Sequence, residues 1–383
     1  MTDTALAAPA AQLREVLRRA GRGLVEREAL VEAVALAAVA GEHVLVIGPP
    51  GTAKSEAVRR IAQGLGERYF EYLVGRFTEP SEIFGPVDLR KLREGVVETA
   101  TAGMLPEAQF AFLDEVFLGS TAILNTLLGI LNERVFRRGH TQVRCPLRVC
   151  VGAANTLPDD PALAAFADRF LVRVFVEPLP DPRLEELLES GWALAAPSGA
   201  VEGASPLETL AAAVSTVELA PVRSRLAQGI RLLRQGGIVF TDRRAVKAQR
   251  LVAAAAVLDG RLQATEADLW PLVHAVPTAE GQRIAREQLR ELLAPTESAS
   301  LPAAASEASA GPLARAVRLA EAAEQLLAAP AEGAALEAWR LKLEGIAREI
   351  DAGFTAQSLP ARLAEVRSRV VAHLRPRPEA NAS

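Results

Sequence analysis

The sequence predicts an α/β fold, a mostly parallel P-loop sheet flanked by helices, followed by an all-helical segment and a C-terminal helical region. Three observations carry this. The apolar run Val44-Leu45-Val46-Ile47 leads straight into Gly48-Pro49-Pro50-Gly51-Thr52-Ala53-Lys54-Ser55 and then a helical stretch, Glu56–Leu65. Four further apolar runs, Tyr69–Val74, Phe110–Leu113, Leu147–Ala153 and Phe170–Phe175, are separated by helical patterns, as βαβ units require. From Asp181 the chain turns to nearly unbroken helix, rich in alanine and leucine.

The elements follow in order. Residues 1–10 are small and polar and are expected to be disordered. Ala11–Ala20 reads as a helix, Gly21-Arg22-Gly23 breaks it, and Glu26–Ala40 is a second, amphipathic helix. After the loop helix and the Tyr69 strand, the glycines and prolines between Phe84 and Leu105 predict a short hairpin interrupting a helix. Val135–Pro146, with Arg137-Arg138-Gly139-His140 at its centre, predicts another hairpin before the fourth strand, Leu147–Ala153. The helical segment from Asp181 is expected to break at Pro197–Ser205 and Arg234–Thr241. Pro295–Pro312, rich in Ala, Ser, Pro and Glu, reads as a flexible linker. Three helices are expected beyond it, Leu313–Ala328, Gly333–Ala352 and Leu359–Leu374, and Arg375-Pro376-Arg377-Pro378 ends the last. The resulting divisions are 1–180, 181–294, 295–312 and 313–383.

Composition narrows the function. The chain has 383 residues, half of them hydrophobic, enough for a sizeable core in two or three domains. A net charge of −4 gives no general attraction to nucleic acid or to an anionic membrane. The two cysteines, Cys145 and Cys150, form neither a disulfide framework nor a CxxC pair, which suits a reducing cytoplasm. No apolar run approaches the roughly 20 residues needed to span a bilayer.

The loop after Ile47 carries the clearest chemistry. A strand, a glycine-bearing loop and a helix start are the setting in which backbone N–H groups converge on an anion and the helix dipole adds positive charge. Lys54 is placed to reach β- and γ-phosphates, and the Ser55 hydroxyl to coordinate Mg²⁺. The usual pattern has glycine directly before the lysine; here Ala53 stands there. These residues imply nucleotide binding.

Phe110-Ala111-Phe112-Leu113 ends in Asp114 and Glu115, an acid pair that would hold Mg²⁺ (Asp114) and polarise an attacking water (Glu115). Asn155, at the end of the next strand, could orient the water beside the γ-phosphate, because in such a sheet its strand should neighbour the one before the P-loop. Asp168-Arg169-Phe170 offers Arg169 as a cation projecting across a subunit interface onto a neighbour's γ-phosphate, with Arg173 a rival donor. Thr241 suits an N-cap, and Arg243 and Arg244 in the following first turn oppose the helix dipole unless an anion such as phosphate compensates.

Taken together these residues resemble the AAA+ ATPases, and within them the MoxR group, most closely its RavA-type members. Gly48–Ser55 corresponds to the Walker A loop, Leu113-Asp114-Glu115 to Walker B, Asn155 to sensor 1, Asp168-Arg169-Phe170 to the arginine-finger segment and Arg243 to sensor 2. In MoxR-type loops GPPGTAK is common, so Ala53 conforms to the group. Phe84–Leu105 resembles its helix-2 insertion and Val135–Pro146 its pre-sensor-1 hairpin. The similarity covers about residues 11–278.

The resemblance implies an AAA+ P-loop core with an all-α lid, ATP and Mg²⁺ as cofactors, and a homo-hexameric ring in which Arg169 acts in trans. It further implies a chaperone-like remodeller of protein complexes, paired with a partner carrying a von Willebrand factor A domain. Alternatives are a metal-chelatase or Rubisco-activase-like motor subunit, a nucleic-acid motor using Arg134, Arg137, Arg138 and Arg144 as a pore lining, and a scaffold that binds ATP without turnover. The acidic balance disfavours nucleic acid.

Overall fold

Five strands form one parallel sheet in the order β2-β3-β6-β1-β7. They are β1 (Val44–Ile47), β2 (Tyr69–Leu73), β3 (Phe110–Asp114), β6 (Val149–Ala154) and β7 (Val172–Phe175), and β4 (Val135–Arg138) pairs with β5 (Thr141–Arg144) in a separate antiparallel hairpin. The computed structural model describes residues 3–178, 205–310, 312–330, 336–353 and 359–374. The expected helix from Asp181, its break at Pro197 and the tail from Arg375 lie outside the described residues.

The alternation of side chains along β1 explains the layering. Val44 and Val46 face one apolar cluster, packed by the helices Asp3–Gly21, Glu28–Ala40 and Lys54–Gly64 and by Asp242–Leu258. Leu45 and Ile47 face the other, which holds Ile123, Leu127 and Ile130 of the helix Thr121–Glu133 with Phe84, Phe136, Phe166 and Phe170. A strand covered on both faces has no room for polar residues, hence the unbroken Val-Leu-Val-Ile.

β6 lies directly beside β1, pairing Val44 with Val151 and Ile47 with Ala154. β7 flanks β1 on its other side in the register Val44–Val172 and Ile47–Phe175. The chain therefore leaves β1, β3 and β6 toward the P-loop, Glu115 and Asn155 at one edge of the sheet. Residues 168–171 lie at the opposite edge, where β7 begins.

Three expectations need correction. Residues 3–10 are not disordered: a helix runs from Asp3 to Gly21 and buries Leu6, Ala10, Leu13, Val16 and Leu17 as one stripe. The segment between Phe84 and Leu105 is not a strand hairpin. A short helix, Leu89–Arg93, is capped by the Asp88 carboxylate, and a single antiparallel bridge, Val87 to Thr99, closes it at the base. The stretch read as a flexible linker contains the helix Pro302–Ala310. Leu301, Ala304, Ala305 and Ala308 belong to the main core, and the Ala304 N–H donates to Glu32 Oε2 at 2.7 Å. His274 Nε2 donates to the Ala304 carbonyl and Arg286 Nε to that of Glu307, so the helix is fastened on three sides.

One compact unit comprises the sheet, its helices and the helical segment through residue 309. Its break between Gln235 and Asp242 falls where the sequence places it. A second unit contains Pro312–Ala328, Leu336–Gly353 and Ala361–Leu374, whose core is Leu319, Ala323, Trp339, Leu343, Ile350, Val366 and Val370. Among the described residues no helix is long and apolar enough to cross a membrane.

Candidate functional site

The P-loop is shaped by two left-handed residues. Gly51 has φ 78° and Ala53 φ 58°, so Ala53 accepts the conformation that glycine usually supplies, at a cost of about 1 kcal/mol. Gly48 is required for another reason: a Cβ there would lie 2.2 Å from the Val176 carbonyl oxygen. The helix Lys54–Gly64 starts directly after Ala53, and no side chain caps its first turn. Its leading N–H groups and dipole are thus left facing the loop. Lys54 Nζ donates to the carbonyls of Gly48 and Pro49, each at 2.8 Å. Burial lowers its pKa, against the opposing pull of Asp114 and Glu115. Thr52 Oγ1 donates to Pro49 O at 2.9 Å, and Ser55 is the second residue of the helix.

Glu115 also sits in the left-handed region, φ 49°, a strained state of the kind that collects at functional sites. Its N–H donates to Asp114 Oδ1 at 3.0 Å, and its Oε1 accepts from Asn155 Nδ2 at 2.6 Å. Asn155 therefore holds the carboxylate of Glu115, a more direct link than the expected contact with water alone. The structure brings Lys54, Asp114, Glu115 and Asn155 to one edge of the sheet.

Arg169 and Arg243 are placed at the other edge. Arg169 is half-buried, and its Nε has no hydrogen-bond partner among the described residues. Arg243 donates to Asn132 Oδ1 at 2.8 Å; burial lowers its pKa first, and the nearby Arg169 lowers it further. Arg244 is 1% exposed and makes an ion pair with Asp168 at 2.6 Å. The anion that offsets this turn's unfavourable dipole is thus, for Arg244, a carboxylate of the chain itself. Arg173, the rival donor, is buried within β7 with its Nη2 on the Ala167 carbonyl, and burial pushes its pKa down to about 9. As folded, it does not face solvent.

The basic stretch 134–144 is divided. Arg134 donates to the carbonyls of Leu131 and Gly41 and contacts His43, Arg137 pairs with Glu133, and Arg138 reaches the Gly85 carbonyl. His43 is itself buried, accepting from the Cys150 N–H, and burial holds its pKa well below the usual range. These are structural contacts.

Sequence reasoning missed Arg27. Buried just before the helix Glu28–Ala40, it donates from Nε to the Thr52 carbonyl and from Nη2 to that of Glu177, each within 2.9 Å. It braces the P-loop from behind against the segment that follows β7. The available signal was a cation at a helix start, opposed to the dipole, the argument applied to Arg243. Arg244 was noticed, but its role was not.

Residues 11–211 match a family described as the MoxR domain in the MoxR-vWA-beta-propeller ternary systems, and residues 218–285 match an AAA lid domain. An uncharacterized protein of Methanocaldococcus jannaschii is 34% identical over 252 residues, which is 65% of this chain and 67% of that protein. Chaperone MoxR1 of Mycobacterium tuberculosis is 28% identical over 191 residues, 49% of this chain and 50% of its own length. The crystal structure of a candidate ATPase from Cytophaga hutchinsonii shares the fold, with TM-score 0.60 at 17% identity, over 76% of this chain and 96% of that one. A family match over more than half of the chain, on the segment that forms the P-loop edge, leads to one assignment: this chain belongs to the MoxR family of AAA+ ATPases.

Proposed function

We propose that this chain hydrolyses ATP at interfaces between subunits of a ring, expected to be a homo-hexamer, and uses the cycle to remodel or activate protein complexes in the cytoplasm. The observation that carries this reading is the placement of its charged residues at opposite edges of the sheet. Arg169 lies three residues before Val172, which pairs with the first residue of β1, whereas the P-loop follows the last. Four strand residues at about 3.3 Å each separate them by at least ~10 Å of sheet. Arg169 and Arg243 therefore serve a neighbour's nucleotide rather than their own.

The loop suits a polyphosphate: its helix start is uncapped, its lysine is near, and two carboxylates stand within electrostatic reach of that lysine. ATP would rest on Gly48, Pro49, Pro50, Gly51, Thr52, Ala53, Lys54 and Ser55. Ser55 and Asp114 would hold Mg²⁺, whose charge offsets that of the phosphates. Glu115, fixed by Asn155, orients and polarises the attacking water. A von Willebrand factor A domain partner is supported by the name of the matching family.

The test is ATPase rate against protein concentration, with ring assembly followed by mass photometry. Specific activity is expected to rise steeply as rings form and to vanish in Glu115→Gln, which should still bind ATP. A rate per subunit independent of assembly, or equal in the variant, would overturn the reading.

A further inference from the structure

We infer that Arg244 is a positioning residue: through Asp168 and three backbone carbonyls it holds Arg169 and Arg243 in one fixed relation. The inference rests on the reading that these two arginines act on a neighbouring subunit's nucleotide. Arg244 Nε donates to Asp168 Oδ1 at 2.6 Å, Nη1 to the Leu171 and Ala275 carbonyls at 3.0 and 2.7 Å, and Nη2 to Phe170 O at 3.3 Å. Asp168 and Phe170 are the residues on either side of Arg169. Arg243 precedes Arg244 on the first turn of its helix, where Thr241 Oγ1 accepts from the Arg244 N–H. One guanidinium thus grips the finger segment on both flanks while standing next to the second arginine in sequence.

Adhesion alone does not explain this choice. Burying a cation costs several kcal/mol, and apolar side chains of similar volume commonly dock two elements as well or better. What a planar fork adds is direction: three acceptors on the segment of Arg169, with the Ala275 carbonyl as a further anchor, fix both the distance and the angle between the segments that carry Arg169 and Arg243. Gln282 reinforces the same strand by donating to the Arg173 carbonyl at 3.1 Å. The arrangement also keeps Arg169 and Arg243 close despite their repulsion, with the charge of Asp168 acting favourably on both Arg243 and Arg244.

The experiment compares assembled rings of wild type, Arg244→Gln and Asp168→Asn, each alone and mixed with Lys54→Ala subunits. A displacement of about 1 Å in a catalytic group can cost up to ~10²-fold in rate, so kcat is expected to fall about 10-fold to 100-fold in either variant. Binding of a fluorescent ADP analogue and ring assembly should be unchanged. Mixing should restore turnover, because a variant's intact P-loop then meets the intact arginines of a Lys54→Ala subunit. Arg244→Lys, which keeps the charge but not the fork, should recover thermal stability more fully than kcat. If Arg244→Gln does not fold, Asp168→Asn carries the test, since it keeps the side chain's shape. An unchanged kcat, or a loss that mixing does not rescue, overturns the inference while leaving the ATPase reading intact. Wild-type rings without turnover would overturn both.

Discussion

The two edges of the sheet are charged in opposite senses and built by different means. At the edge where β1, β3 and β6 end, Asp114 and Glu115 accompany a single lysine, and nearly every contact is made within a few residues of a strand end. At the edge where β7 begins, Arg169, Arg173, Arg243 and Arg244 gather around Asp168, and the contacts of Arg243 and Arg244 reach across 31 to 111 positions of the chain. The first edge is a local construction suited to the phosphates and metal of the proposed nucleotide; the second is a tertiary one with positive charge to spare. Complementary surfaces on opposite edges of one molecule are what a head-to-tail, ring-closing contact requires.

The strongest way to break this comparison is Arg169→Ala. Turnover should fall on the order of 10³-fold with nucleotide binding nearly intact, and mixing with Lys54→Ala subunits should restore it. Unimpaired turnover in unmixed Arg169→Ala rings would assign the role to another cation.

Asn155→Ala probes the opposite edge. It removes the donor that holds Glu115 Oε1, so kcat should drop about 10-fold to 100-fold while ATP still binds, part of what a positioned base contributes. A loss confined to affinity would contradict the role given to Asn155.

Gly48→Ala tests the packing that seats the loop against the segment after β7. Its Cβ would collide with the Val176 carbonyl, and overpacking of this kind costs about 1–3 kcal/mol or more, measurable by urea unfolding. Wild-type stability in this variant would mean that β7 yields easily.

Titration of Glu32 tests the frame common to both edges, since its helix runs from Arg27 behind the P-loop to Gly41 and Glu42 below β1. Burial raises its pKa from 4.5 to about 8, against hydrogen bonds from Ala304 and Ala303. The folded state therefore holds this proton more tightly than the unfolded chain. Its contribution is fully present below the unfolded value and is lost as pH rises through the folded one, by at most about 1.4 kcal/mol per pH unit. Unfolding midpoints from about pH 5 to about pH 8 should decline in wild type and flatten in Glu32→Gln. Parallel profiles would exclude Glu32 as the source.

The smallest effect is expected from Ala53→Gly. Relief of the left-handed strain and the greater freedom of glycine in the unfolded chain oppose each other, leaving a change within ~1 kcal/mol and nucleotide affinity preserved. A collapse in affinity would show that the alanine methyl itself contacts the ligand.

Legibility followed the same division. The five sheet strands, the hairpin β4–β5, the P-loop, Asp114 and Glu115 could all be read from short runs, because each is fixed by neighbours in sequence; the adjacency of Asn155's strand to β1 followed from the kind of sheet expected. Arg27 and Arg244 could be seen only as cations in unfavourable places; their partners, Thr52, Glu177, Asp168 and Ala275, are supplied by the fold. Composition misled at both ends of the main unit. Small residues before Ala11 and after Pro295 suggested solvation, yet Leu301, Ala304, Ala305 and Ala308 recur at the three- and four-residue spacing of a helix face. Alanines leave a weak hydrophobic signal one by one and still pack closely as a stripe.

That stripe decides where the chain can be cut. A fragment stopped at residue 294, just after Leu293, would omit Leu301 and the three alanines, baring the core surface they cover. It would also strip Glu32, His274 and Arg286 of their backbone partners at residues 304 and 307. A recombinant ATPase fragment meant to fold alone should therefore extend through Ser309, some two dozen residues past the end of the matched AAA lid at 285.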